Sequence, residues 1–177
     1  MNESALSTKR IGELLNALNT ELAACAVVGE LYLVGGAVMC LAFNARASTK
    51  DIDAHFAPKN RIREAARSVG EKEGVGEDWL NDAVKGFLSE NGDYTKYLSL
   101  SNLNVFIAKP EYLLAMKSLA MRLGPEFHDE SDVRYLLRYL NIEKYEDALS
   151  VIAKYYPLER FPQKTLYALE EILGDTR

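Results

Sequence analysis

Two adjacent glycines, Gly35 and Gly36, separate a β-prone run, Glu30-Leu31-Tyr32-Leu33-Val34, from an apolar stretch, Ala37 to Asn44. Glycine reaches backbone conformations closed to other residues, so the pair predicts a tight turn that ends a strand and opens a buried helix. Beyond it, Asp51-Ile52-Asp53-Ala54-His55-Phe56 alternates polar and apolar, the pattern of a half-buried strand. Pro58 then starts a charged helix that runs to about Glu73. Strand, glycine turn, helix, strand, helix is the order of a sheet with helices packed against it.

The flanking sequence extends this pattern. From Thr8, the residues Ile11, Leu14, Leu15, Leu18 and Leu22 recur at helical spacing, predicting an amphipathic first helix. Asp78 to Val84 reads as a short helix capped by Asp78, with Trp79 as a core anchor. Tyr94 to Leu100 and Leu103 to Ala108 read as a hairpin turning at Ser101-Asn102. After Pro110 the periodicity is helical only: Glu111 to Arg122, Asp132 to Leu140, Ile142 to Tyr155, and Gln163 to Leu173 closed by Gly174. The expected fold class is α+β, with a small mixed sheet and flanking helices over residues 1–109 and a helical subdomain over 110–177.

Chemistry concentrates around the glycines and the second strand. Alternation puts Asp51 and Asp53 on one face and turns Ile52, Ala54 and Phe56 to the core. Neighbouring carboxylates repel unless a cation lies between them, and Mg²⁺ takes one or two carboxylates together with phosphate oxygens and water. Gly35 and Gly36 suit backbone contact with a phosphate at the start of a helix. The ordinary readings are a solvated strand edge and a plain turn. Arg46, Ser48, Thr49 and Lys50 immediately precede the strand and could line such a site, although loop cations are commonly just solvated. His55 shares the aspartate face and reads as a core or partner-bonded histidine rather than a ligand.

The run Leu33-Val34-Gly35-Gly36-Ala37-Val38-Met39-Cys40-Leu41, followed by Arg46-Ala47-Ser48-Thr49-Lys50-Asp51-Ile52-Asp53, resembles the nucleotidyltransferase fold of the polymerase β superfamily. Within it, the sequence is most similar to small bacterial proteins of the AbiEii toxin type. Trp79-Leu80-Asn81-Asp82, and Leu113 to Arg122 followed by Asp129 and Asp132, fit the same branch. The resemblance implies that Gly35 and Gly36 contact the triphosphate of an NTP and that Asp51 and Asp53 hold Mg²⁺. It implies transfer of NMP to a hydroxyl of a tRNA, a protein or a small molecule, and a possible cognate antitoxin as partner. A third carboxylate is expected on the strand Leu103 to Ile107, but Asn104 and Phe106 occupy the relevant face. Either Glu90, Asp93 or Glu111 takes that place, or the protein binds nucleotide and turns over poorly.

Lys117 has only apolar helical neighbours, Leu113, Leu114, Ala120 and Met121. A lysine so placed predicts a stem lying between the two halves and an ammonium neutralised by a phosphate or by the carboxylate pair, which makes Lys117 a catalytic candidate. An ion pair with Asp129 or Asp132 competes equally. Tyr135 and Tyr139 share a helix face with Asp132, read either as packing or as a docking face. Cys25 and Cys40 lie in apolar runs and read as small buried hydrophobes; with His55 and His128 the only histidines, they supply no thiolate zinc site. The net charge of −5 argues against a nonspecific coat on duplex nucleic acid or anionic lipid. The absence of a signal-like or spanning apolar run leads to the expectation of a cytoplasmic protein.

Overall fold

The computed structural model describes residues 5–174. The chain forms two compact units, one reaching to Gly86 and including Tyr94–Ala108, the other formed by Phe87–Asp93 and the chain from Lys109 onward. Both classes of secondary structure are present, giving a mixed α and β protein.

In the first unit, β1 (Leu6–Ser7) leads directly into α1 (Thr8–Ala24), capped by the Ser7 side chain, which accepts from the Arg10 backbone N–H at 3.1 Å. The stripe Ile11, Leu14, Leu15, Leu18, Leu22 is buried as its spacing predicts. Next come β2 (Gly29–Val34), α2 (Gly35–Leu41), β3 (Ser48–Thr49), β4 (Ile52–Ala57) and α3 (Lys59–Glu73). Gly74, at φ +67°, ends α3 in the left-handed conformation that glycine adopts cheaply. β5 (Leu80–Asn81), β6 (Tyr94–Ser99) and β7 (Leu103–Ala108) complete a five-stranded sheet of order β5-β4-β2-β7-β6. β2 pairs antiparallel with β4 and parallel with β7; β5 is parallel to β4 and β6 antiparallel to β7. β1 and β3 form a separate antiparallel pair.

Leu31, Leu33, Ile52, Ala54, Leu103 and Val105 are completely buried on one face of the sheet. α1 and α3 pack there: a Cβ on Gly29 of β2 would come within 3.0 Å of Ile62 on α3 and 3.1 Å of Leu22 on α1. Each buried leucine or isoleucine contributes about 1.5–3 kcal/mol, which makes this face the main source of the unit's stability. The opposite face, carrying Glu30, Tyr32, Asp53, His55, Asn104 and Phe106, is half-buried and polar.

Two expectations are corrected here. Residues 78–84 do not form a capped helix: Leu80–Asn81 joins the sheet edge, and only Ala83–Phe87 turns, as 3₁₀. Local helical pattern loses to tertiary anchoring, because the Trp79 indole donates to the Ala66 carbonyl at 2.8 Å while its carbonyl accepts from Ile52 N at 2.7 Å. Cys25 is exposed rather than buried, while Cys40 is buried as expected. α1 stops at Ala24, and the chain reverses through Ala26 at φ 54°, so Cys25 leaves the buried stripe.

The second unit consists of α4 (Pro110–Leu119), α5 (Asp129–Tyr139), α6 (Tyr145–Ile152) and α7 (Gln163–Gly174). α4 is the central helix, with Tyr112, Leu113, Leu114 and Ala115 fully buried. The segment Phe87–Asp93 belongs to this unit through side chains remote in sequence: the Tyr112 hydroxyl accepts from Ser89 N at 2.9 Å, and the Tyr156 hydroxyl donates to the Phe87 carbonyl. Among the described residues, no helix is long and apolar enough to cross a membrane.

Candidate functional site

The site is assembled where β2 ends. Val34 pairs with Asp53 across the β2–β4 ladder, so the chain enters α2 directly beside the second aspartate. Gly35 takes φ +69°, and a Cβ there would lie 2.9 Å from Asp53 Oδ2, so the glycine is required by both backbone and space. At Gly36 an added Cβ would meet Thr49 Oγ1 at 2.7 Å and Arg46 Nη1 at 2.8 Å. Gly35, Gly36, Arg46, Thr49 and Asp53 therefore converge.

Asp51 lies one residue before β4 and is half-buried. Its Oδ2 accepts from Asn81 Nδ2 at 2.9 Å, and its backbone carbonyl accepts from the buried Thr49 hydroxyl at 3.2 Å. Asn81 is placed by β5, where it pairs with Asp53, and its Oδ1 also caps Ala83 N at 3.2 Å. Thr49 turns toward Gly36, so alternation along β3 directs Ser48 to the opposite face, while Lys50 is exposed in the bend that follows. Of the four flanking candidates, Arg46 and Thr49 reach the glycines.

The expected position of the third acid is filled differently. Asn104 pairs with Glu30, whose partner on β4 is Ala57, four residues from Asp53 and roughly 13 Å along the strand. Its amide oxygen accepts from the Ser99 hydroxyl at 2.8 Å. Phe106 pairs with Tyr32, which pairs with His55. The three rings form a parallel stack: His55 to Tyr32 at 4.7 Å and 14°, Tyr32 to Phe106 at 4.9 Å and 10°. The Tyr32 hydroxyl donates to Glu30 at 2.8 Å, and that bond, with burial and the Glu30 charge, raises its pKa. Glu90, Asp93 and Glu111 all lie in the helical unit, where Asp93 pairs with Lys109 at 3.0 Å. Among the described residues no group of three or more His, Cys, Asp or Glu is arranged to hold a metal ion.

Two carboxylates at this site suit Mg²⁺ bound jointly with phosphate oxygens, the coordination that cation favours, and do not suit an all-protein cage. α2 has seven residues, so its dipole adds little; the positive charge nearest the glycines is the Arg46 guanidinium.

Lys117, in the second unit, is held by acids of its own unit: Asp132 Oδ2 at 2.7 Å and Asp129 Oδ1 at 3.9 Å, with its side chain only 11% exposed. Burial works to raise the Asp129 pKa, but hydrogen bonds from the Arg122 side chain and backbone and the charge of Lys117 outweigh it and leave it lowered. Of the two alternatives for Lys117, the ion pair is the one observed. Tyr135 and Tyr139 stack at 6.3 Å on α5.

The aromatic stack and the Asn81–Asp51 bond are what sequence reasoning missed. A usable signal was present: Tyr32, His55 and Phe106 each alternate with core residues on predicted strands. Their alignment depends on register, which the sequence does not display.

Comparison with protein-family models, with characterised proteins and with solved structures finds no match for this chain.

Proposed function

We propose that the β2–α2 junction and β4 form a Mg²⁺-dependent nucleotide site of the nucleotidyltransferase kind, and that the protein moves NMP from an NTP to a hydroxyl acceptor. The observation carrying this reading is the packing of Gly35 against Asp53 and of Gly36 against Arg46 and Thr49, which gathers the Asp53 carboxylate, a glycine turn and a guanidinium at one strand end, with Asp51 tied to the same place through Asn81, the β5 partner of Asp53. Asp51 and Asp53 would hold the cation, with Asn81 fixing the Asp51 carboxylate. Bound Mg²⁺ supplies charge neutralisation for the phosphates. The Gly35–Gly36 turn brings the backbone against Asp53, Thr49 and Arg46, and Arg46 contributes a positive charge beside that turn. In the transfer, the acceptor oxygen bonds to the α-phosphorus as its bond to the bridging oxygen breaks, pyrophosphate leaves, and the hydroxyl proton passes to solvent.

Calorimetric titration with each NTP should show binding that requires Mg²⁺ and disappears in Asp51→Ala with Asp53→Ala. Binding unchanged in that variant overturns the reading. A second reading, a nucleotide-binding module without turnover, is favoured by Phe106, which stands on β7 level with His55 where the resemblance calls for an acid. Labelled NMP appearing on a tRNA pool or a protein substrate, and lost in Asp53→Asn, selects the enzyme; Mg²⁺-dependent binding without transfer selects the module.

A further inference from the structure

The ring stack on the half-buried face of the sheet crosses three strands, and His55 is its last ring among the described residues. Its steps of 4.7 and 4.9 Å match the spacing of adjacent β-strands, so each strand contributes one ring: β7 Phe106, β2 Tyr32, β4 His55. At the β6 end, Lys96 stands opposite Phe106 and Tyr94 sits edge-on to Tyr32 at 5.1 Å. At the other end the next step outward lies over β5. There the pairing of β5 with β4 stops at Asp53 and Asn81, so among the described residues no β5 residue stands opposite His55. One face of the half-buried imidazole is covered by Tyr32, and the ladder on its other side ends at the Asp53–Asn81 pair.

We infer that His55 is the platform on which the nucleobase of the bound nucleotide stacks, as the fourth ring of the row. This rests on the nucleotide-site reading above and goes beyond it by assigning the base subsite. The placement fits a nucleotide: His55 is two residues along β4 from Asp53 and on the same face, roughly 7 Å away, comparable to the separation of a base from its own phosphates. Stacking on an aromatic ring needs only a π-face and tolerates any base, so purines should gain most from their larger area.

The test compares two ligands on the full chain in the presence of Mg²⁺: NTPs, which carry a base, and inorganic tripolyphosphate, which does not. The wild type should bind ATP and GTP more tightly than tripolyphosphate. His55→Ala should weaken purine nucleotide binding by about 5- to 100-fold and leave tripolyphosphate unchanged, while His55→Phe keeps the wild-type preference. Proton spectra should show upfield ring-current shifts of the His55 ring on adding Mg²⁺-ATP and none with tripolyphosphate. If tripolyphosphate binds but nucleotides bind no better, or His55→Ala weakens both equally or neither, or the His55 resonances stay fixed with ATP, the base platform is wrong and the phosphate site stands. If neither ligand binds, both readings fall together.

Discussion

Gly35 shows how much one residue decides. At φ +69° a side chain would strain the backbone, and its Cβ would press on Asp53 Oδ2. Gly35→Ala should therefore cost about 1–3 kcal/mol in urea unfolding and also displace the carboxylate. The second effect separates it from Gly12, a helical glycine where an added Cβ would meet nothing within 4 Å. Gly12→Ala should leave nucleotide binding intact and raise stability slightly through helix propensity. A Gly35→Ala chain as stable as the wild type contradicts the strain. The glycine pair is legible as a turn from the sequence; that its first member abuts the second aspartate is not, because the contact depends on the pairing of Val34 with Asp53.

Elements show the same division. α1 follows from its apolar spacing, and its buried face carries the residues the spacing names, while α3 follows from Pro58 and the charged run after it. β5 reads as helix in the sequence, since a two-residue strand has no period of its own and exists only because the β4 edge and the Trp79 anchor hold it. In the helical unit an ion pair joins α4 to α5. Lys117 lies between Asp132, whose side chain is 3% exposed, and Asp129, itself bonded to Arg122 at 2.8 Å. Removing the ammonium takes a cation from beside two poorly hydrated carboxylates, so Lys117→Met should destabilise the protein by about 3–5 kcal/mol. Asp132→Leu added to it should recover part of that loss in a double-mutant cycle read by denaturant unfolding. A stable Lys117→Met protein that loses only transfer activity would instead show that the lysine serves catalysis.

Across the whole molecule, each unit contains an acid held below its ordinary pKa. In the sheet unit Asp82 bonds Lys85 at 2.9 Å, Arg63 at 2.8 Å and Lys59 at 3.3 Å; the Lys85 bond is the largest cause, and together they depress the carboxyl well below 3.8 against the cost of burial. In the helical unit Asp129 is lowered as described. A carboxyl with a folded pKa below its unfolded value contributes stability that is complete above about pH 3.8 and is lost as the pH falls through the folded pKa. Urea midpoints should accordingly be insensitive to these two groups from about pH 5 to 7 and fall steeply below about pH 4. Asp82→Asn should lower the neutral-pH midpoint and flatten the acid slope; an unchanged slope would show that the three cations do not act through Asp82.

The sequence by itself determined the α+β character, the long helices, the strand–glycine–helix order and the residues facing the core, because each is set by local periodicity and by glycine and proline geometry. Tertiary structure alone decided the order β5-β4-β2-β7-β6, the attachment of Phe87–Asp93 to the helical unit, the partners of Asp51 and Lys117, and the ring stack ending at His55. Those features join residues distant in the chain through strand register and side-chain packing, and neither leaves a period in the sequence.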